Sequence, residues 1–286
     1  MLKKVGYVGA DSGGNNGAGV DRAQFIFINF ENMSNAGLCT AQALHDEIIR
    51  RAAQISGKVY LFFDEIQEMQ DWEKCINSFR VELNCDIYIT ASNAKLLSGE
   101  LATYLVGRYV EFVIYPFSFD EFIQLYRTIF PEADVRTCFN RYLTAGGMPY
   151  LINLRYEETA CRQYLQDLFN SVELKDIIQR NKVRDVDMLE RIIAYATANI
   201  GTTFLSTVIS KCLKSEGCSV SPETVLGYLK DCTDAFLFYQ VKRQDLRGKK
   251  ILTVNEKYYV ADHGVWEAVF GGNQRDINLV LEKLSI

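Results

Sequence analysis

The chain is 286 residues long, 48% hydrophobic and 23% charged, with a formal net charge of −5 and a pI near 5.3. Those figures suit one large or two modest globular domains with a sizeable core, and they exclude a uniformly basic nucleic-acid binder. No apolar run approaches the roughly 18 residues of a membrane span and the N-terminus has no export signal, so a cytoplasmic chain without a membrane partner is expected.

Residues 1–20 hold six of the nineteen glycines, and GADSGGNNGAG has no periodicity that could build a helix or strand, so a flexible leader is expected there. A strand follows near 25–30 (FIFINF), then a helix near 41–55. The next strand is expected at 59–63, within the stretch 59–67, VYLFFDEIQ, an apolar run that ends in two adjacent carboxylates, Asp64 and Glu65. A buried parallel strand needs apolar side chains on both faces. An aspartate at its carboxyl end can hold Mg²⁺ while the next glutamate polarises water, which is how a Walker B strand reads and which points to ATP. Its partner motif, G-x-x-x-x-G-K-[ST], is absent from the 286 residues.

A helix near 71–83 and a strand near 86–90 (DIYIT) continue the alternation, which implies right-handed crossovers and a parallel sheet. Ser92 and Asn93 follow that strand, where Asn93 could orient water against a γ-phosphate or simply make a turn. Arg108, in VGRYVEF, offers a bidentate fork to phosphate oxygens, or equally a structural ion pair. Glu31, at the end of FINFE, could approach the same site or cap the next element. Another strand is expected at 109–114, before the amphipathic helix SFDEFIQLY. The pattern then stays helical to about 200, broken by the turn GGMP at 146–149.

From 203 onward a helix (204–214), a turn with Gly217, a helix (222–232, with Ser221 as N-cap and Pro222 at N1) and two strands near 236–243 and 250–260 make a winged-helix arrangement. The predicted wing, VKRQDLRGKK, carries five cations, Lys242, Arg243, Arg247, Lys249 and Lys250, against one anion. It could contact DNA phosphates or be a solvated hairpin tip. The final stretch, NQRDINLVLEKLSI, reads as the start of an amphipathic helix. The eight cysteines show no C-x-x-C pair and read as reduced, mostly buried thiols, and His45 as an ordinary packing or surface histidine.

FIFINFEN, LFFDEIQEMQDWEKCINSFR, DIYITASNAKLLSGELATYLVGRYVEF, YPFSFDEF, YLTAGGMPYLI, LKDIIQRN and NEKYYVADHG together resemble prokaryotic, often archaeal, AAA+ ATPases whose core precedes a domain of unknown function. The resemblance covers about residues 22–280. It implies an α/β, P-loop NTPase-like parallel sheet, here lacking its first strand, followed by a helical region and a winged helix. The expected limits are a Gly-rich leader at 1–20, the core at 21–135, helices at 136–202, the winged helix at 203–265 and the start of a further domain at 266–286. Position by position, Asp64 and Glu65 match the Walker B pair, Asn93 the sensor and Arg108 the arginine of a G-R motif. ATP and Mg²⁺ are the implied ligands. TASNA stands where the family tends to have TGSNA, with Ala91 in place of a glycine. Without a P-loop or the family's nuclease-like region, a truncated or degenerate ATPase is expected, and the alternative is a non-catalytic winged-helix module for DNA or protein. Self-association is compatible with either.

Overall fold

The computed structural model describes residues 21–92, 110, 112–245 and 250–271. The chain divides into two compact units between Ile114 and Tyr115.

In the N-terminal unit, β1 (Phe25–Asn29), α1 (Ala41–Ala52), β2 (Val59–Asp64), α2 (Trp72–Glu82) and β3 (Cys85–Ile89) alternate as expected. The strands are parallel in the order β1-β2-β3, with Asn29 opposite Asp64 and Phe63 opposite Ile89. Two successive right-handed crossovers in one direction put both helices on one face of the sheet. There Ile26, Ile28, Leu61 and Phe63 pack with Leu44, Ile48, Ile76 and Phe79, all buried. Each such side chain contributes about 1.5–3 kcal/mol. Period-2 alternation sends Phe25, Phe27, Tyr60, Phe62 and Tyr88 to the opposite face, where the rings stack across strands (Phe27 to Phe62 4.5 Å, Phe62 to Tyr88 4.6 Å). Parallel sheets are ordinarily covered on both faces, yet Phe27 is 55% and Tyr88 48% exposed.

The strand expected at 109–114 is not formed at the described positions 110 and 112–114, which are irregular and largely exposed. Aromatic and β-branched composition favours a strand only where a neighbouring strand supplies the ladder.

The C-terminal unit begins at Tyr115, whereas the first core was expected to run to 135. The reason is α3 (Phe119–Ile129), whose Phe122 and Tyr126 join Tyr142 and Tyr156 in the second core. A capping box starts α3: Ser118 Oγ accepts from Glu121 N, and Glu121 Oε2 accepts from Ser118 N at 2.8 Å. Asp134 caps α4 (Val135–Ala145) and Glu157 caps α5 (Glu158–Ser171), which runs on as a π-helical stretch, Val172–Gln179. After α6 (Val186–Ala198) come β4 (Thr203–Phe204), α7 (Ser206–Ser215), α8 (Pro222–Asp234), β5 (Phe238–Asp245), β6 (Lys250–Val260) and α9 (His263–Phe270). The three strands form an antiparallel sheet in the order β4-β6-β5.

The GGMP turn and the ADHG turn meet in this unit. Gly146 ends α4 at φ +76°, and Gly147 N donates to Asp262 Oδ2 at 2.7 Å while Asp262 Oδ1 caps α9 by accepting from Val265 N at 2.9 Å. Phe117 N donates to Gly147 O at 2.8 Å, and the Tyr142 hydroxyl donates to Phe117 O at 2.9 Å. A Cβ on Gly147 would lie 2.3 Å from Phe117 O, and one on Gly264 2.1 Å from Ala145 O, so only glycine lets these backbones touch. His263, 5% exposed, shares a hydrogen bond with Tyr142 O and belongs to the same clasp.

Candidate functional site

The carboxyl ends of the three parallel strands bring polar side chains together, the place where open α/β sheets put their ligands. Register sets Asn29 beside Asp64, and Asn29 Nδ2 donates to Asp64 Oδ2 at 2.6 Å. From the other side Thr90, just past β3, donates its hydroxyl to Asp64 Oδ1 at 2.5 Å. Asp64 is thus held by both neighbouring strands, with one donor on each carboxylate oxygen. Asn29 is itself fixed, its Oδ1 accepting from Glu31 N at 2.8 Å and its carbonyl from Asn35 Nδ2 at 2.9 Å. Glu31 lies in this exposed turn.

Glu65 follows in the left-handed region (φ 55°, ψ 49°) with 2% of its surface exposed. The conformation comes from the turn after β2, where Ile66, Met69 and Trp72 are all buried and pull the chain back under the sheet. Glu65 N donates to Thr90 Oγ1 at 3.2 Å, and Gln67 Nε2 donates to Glu65 Oε2 and, at 3.2 Å, to Ser92 Oγ. Asp64 and Glu65 therefore stand in one polar network with Asn29, Gln67, Thr90 and Ser92.

Asn93 and Arg108 lie outside the described residues. Of the cations expected at the wing, Lys242 is exposed on β5, Arg243 falls on β5 opposite Leu252, and Lys250 on β6 opposite Asp245, while Arg247 and Lys249 lie outside the described residues. His45 stacks on Phe79 and places Nε2 3.1 Å from Glu82, on the helical side of the sheet. The sequence reading missed Asn29, Gln67 and Thr90. A polar residue at the carboxyl end of each predicted strand was the available signal for Asn29 and Thr90.

Among the described residues no group of three or more His, Cys, Asp and Glu could hold a metal. Mg²⁺ needs no such cage, since it takes one or two carboxylates and completes its shell with phosphates and water. A carboxylate fixed by two donors, next to a hydroxyl, fits that donor set. The Gly-rich run that would have to cradle phosphates lies outside the described residues. No helix among the described residues is long and apolar enough to cross a membrane.

Residues 14–123 match the AAA domain family, and residues 136–276 match a domain of unknown function (DUF8612). An uncharacterised protein of Haemophilus influenzae is 36% identical over 253 residues, which is 88% of this chain and 63% of that protein. One of Methanocaldococcus jannaschii is 29% identical over 251 residues, 85% of this chain and 55% of that protein. The chain thus spans less than two thirds of the length of these relatives. The solved structure of a Walker-type ATPase of Pyrococcus abyssi superposes with a TM-score of 0.57 over 85% of this chain and 83% of its own, at 16% identity, so the two share a fold.

Proposed function

We propose that this chain is an AAA-family ATP-binding protein with a Walker B pair, Asp64 and Glu65, and only slow hydrolysis of its own. Bound Mg²⁺ would neutralise charge on the β- and γ-phosphates; Asp64 would hold it and Glu65 would take the proton of the attacking water. Asn93 would position that water and Arg108 would stabilise phosphate charge. The observation that carries the reading is the fixed Asp64 carboxylate, which ends the central strand of the described parallel sheet between Asn29 and Thr90. Slow turnover is proposed for these 286 residues as they stand, which hold no G-x-x-x-x-G-K-[ST], the motif whose backbone N–H groups and lysine supply much of the phosphate binding elsewhere. Calorimetric titration with ATP and Mg²⁺ tests the reading. Micromolar binding that Asp64→Ala weakens at least tenfold supports it, and no binding by the unchanged chain discards it.

A second reading makes the C-terminal unit a winged helix that contacts DNA or protein. It is supported by the succession of α7, turn, α8 and the β5–β6 hairpin, by β4 pairing with β6, and by exposed Lys211, Lys214, Lys230 and Lys242. If DNA is the partner, charge reversal at Lys249 and Lys250 weakens binding and flattens its salt dependence. Binding that ignores salt and these charges rejects DNA.

A further inference from the structure

Glu65 is the base in the reading above, and a base acts only where its carboxylate is within reach of the proton it takes. Gln67 is bound directly to it. The Glu65 carboxylate can only accept, so the amide nitrogen of Gln67 faces it, and the same nitrogen reaches Ser92 Oγ at 3.2 Å. One amide therefore ties the residue after β2 to the turn after β3. The two residues it joins are buried, Ser92 4% and Glu65 2% exposed, while Gln67 itself is half-buried. Buried Ile66 and Met69 anchor the turn on either side of Gln67, which limits where its amide can go.

We infer that Gln67 is a positioning residue for Glu65, setting the carboxylate for proton transfer without itself touching nucleotide or water. The inference rests on the reading of Glu65 as the base. A bond that only caps the turn would support folding and leave the chemical step unchanged.

The test is single-turnover ATP hydrolysis with the full chain in excess over nucleotide, alongside calorimetric ATP binding. Gln67→Leu removes the donor, and Gln67→Glu keeps the shape while placing a carboxylate against a carboxylate. Both are expected to slow hydrolysis about tenfold or more with the ATP Kd unchanged. In a Glu65→Gln background, Gln67→Leu is expected to add nothing, because the group it positions is already disabled. Unchanged hydrolysis in the Gln67 variants, or losses that multiply with Glu65→Gln, overturn the inference. Should the leucine variant fail to fold, the glutamate variant decides. ATP binding without hydrolysis by the unchanged chain also overturns it, while leaving the nucleotide-binding reading standing. No binding at all overturns that reading itself, so the two failures are separable.

Discussion

Asp64 depends on two side chains that are distant in sequence. Thr90→Val removes a hydroxyl donor to a charged acceptor with almost no change of shape, at a cost of about 1.5–3 kcal/mol. The loss is expected in the denaturant midpoint, and if Mg²⁺ is held by Asp64, the ATP Kd rises with it. At the clasp, Asp262→Ala strips the cap from α9 and leaves Gly147 N without its acceptor, which together should cost about 2–4 kcal/mol in chemical denaturation. A destabilisation under 1 kcal/mol would show that water replaces the carboxylate. Asp64 and Glu65 were legible as a pair because a hydrophobic run followed by two acids is a local pattern. Asn29 and Thr90 were legible only as polar residues at strand ends and Gln67 not at all, since strand register and the burial of a turn bring them to Asp64 and Glu65.

The helices of the C-terminal unit share a device that makes them sensitive to acid. Glu121, Asp134 and Glu157 accept backbone N–H bonds at the starts of α3, α4 and α5, and those bonds hold each carboxyl below its ordinary value. A depressed folded pKa stabilises above the unfolded value and is lost as pH falls through the folded one. Helicity is therefore expected to weaken below about pH 4, where ordinary carboxylates protonate. The combined Asp134→Asn and Glu157→Gln variant should flatten that loss in far-UV circular dichroism, and an unchanged acid limb would place the sensitivity elsewhere. These elements were readable from sequence because caps and apolar periodicity coincide, as in S-F-D-E-F. The two-residue β4 has no period to read, and α9 depends on Asp262 being presented to two turns at once. The described positions 110 and 112–114 show the converse, strand-like composition without a strand.

Across the molecule, tyrosines buried in the second core set an alkaline limit. Burial pushes both Tyr142 and Tyr156 up from near 10 to about 12. A raised folded pKa leaves stability whole below the unfolded value and removes it as pH climbs toward the folded one, so stability should fall between about pH 10 and 12. Phenolate absorbance and unfolding should appear together in that window, and Tyr142→Phe should shallow the slope. If the tyrosines ionise well before the fold is lost, their burial does not set the limit. The order of synthesis adds a consequence of the clasp. All of β1, β2 and β3 are synthesised by residue 89, so the first sheet can form early. Gly147 must wait for Asp262, more than a hundred residues later, before the second core can lock. During that interval the chain presents a formed aromatic sheet face and, later in sequence, an unlocked helical segment, the kind of species that chaperones bind. The time spent waiting for Asp262 is thus an interval of exposure set by translation speed, independent of the stability of the finished protein.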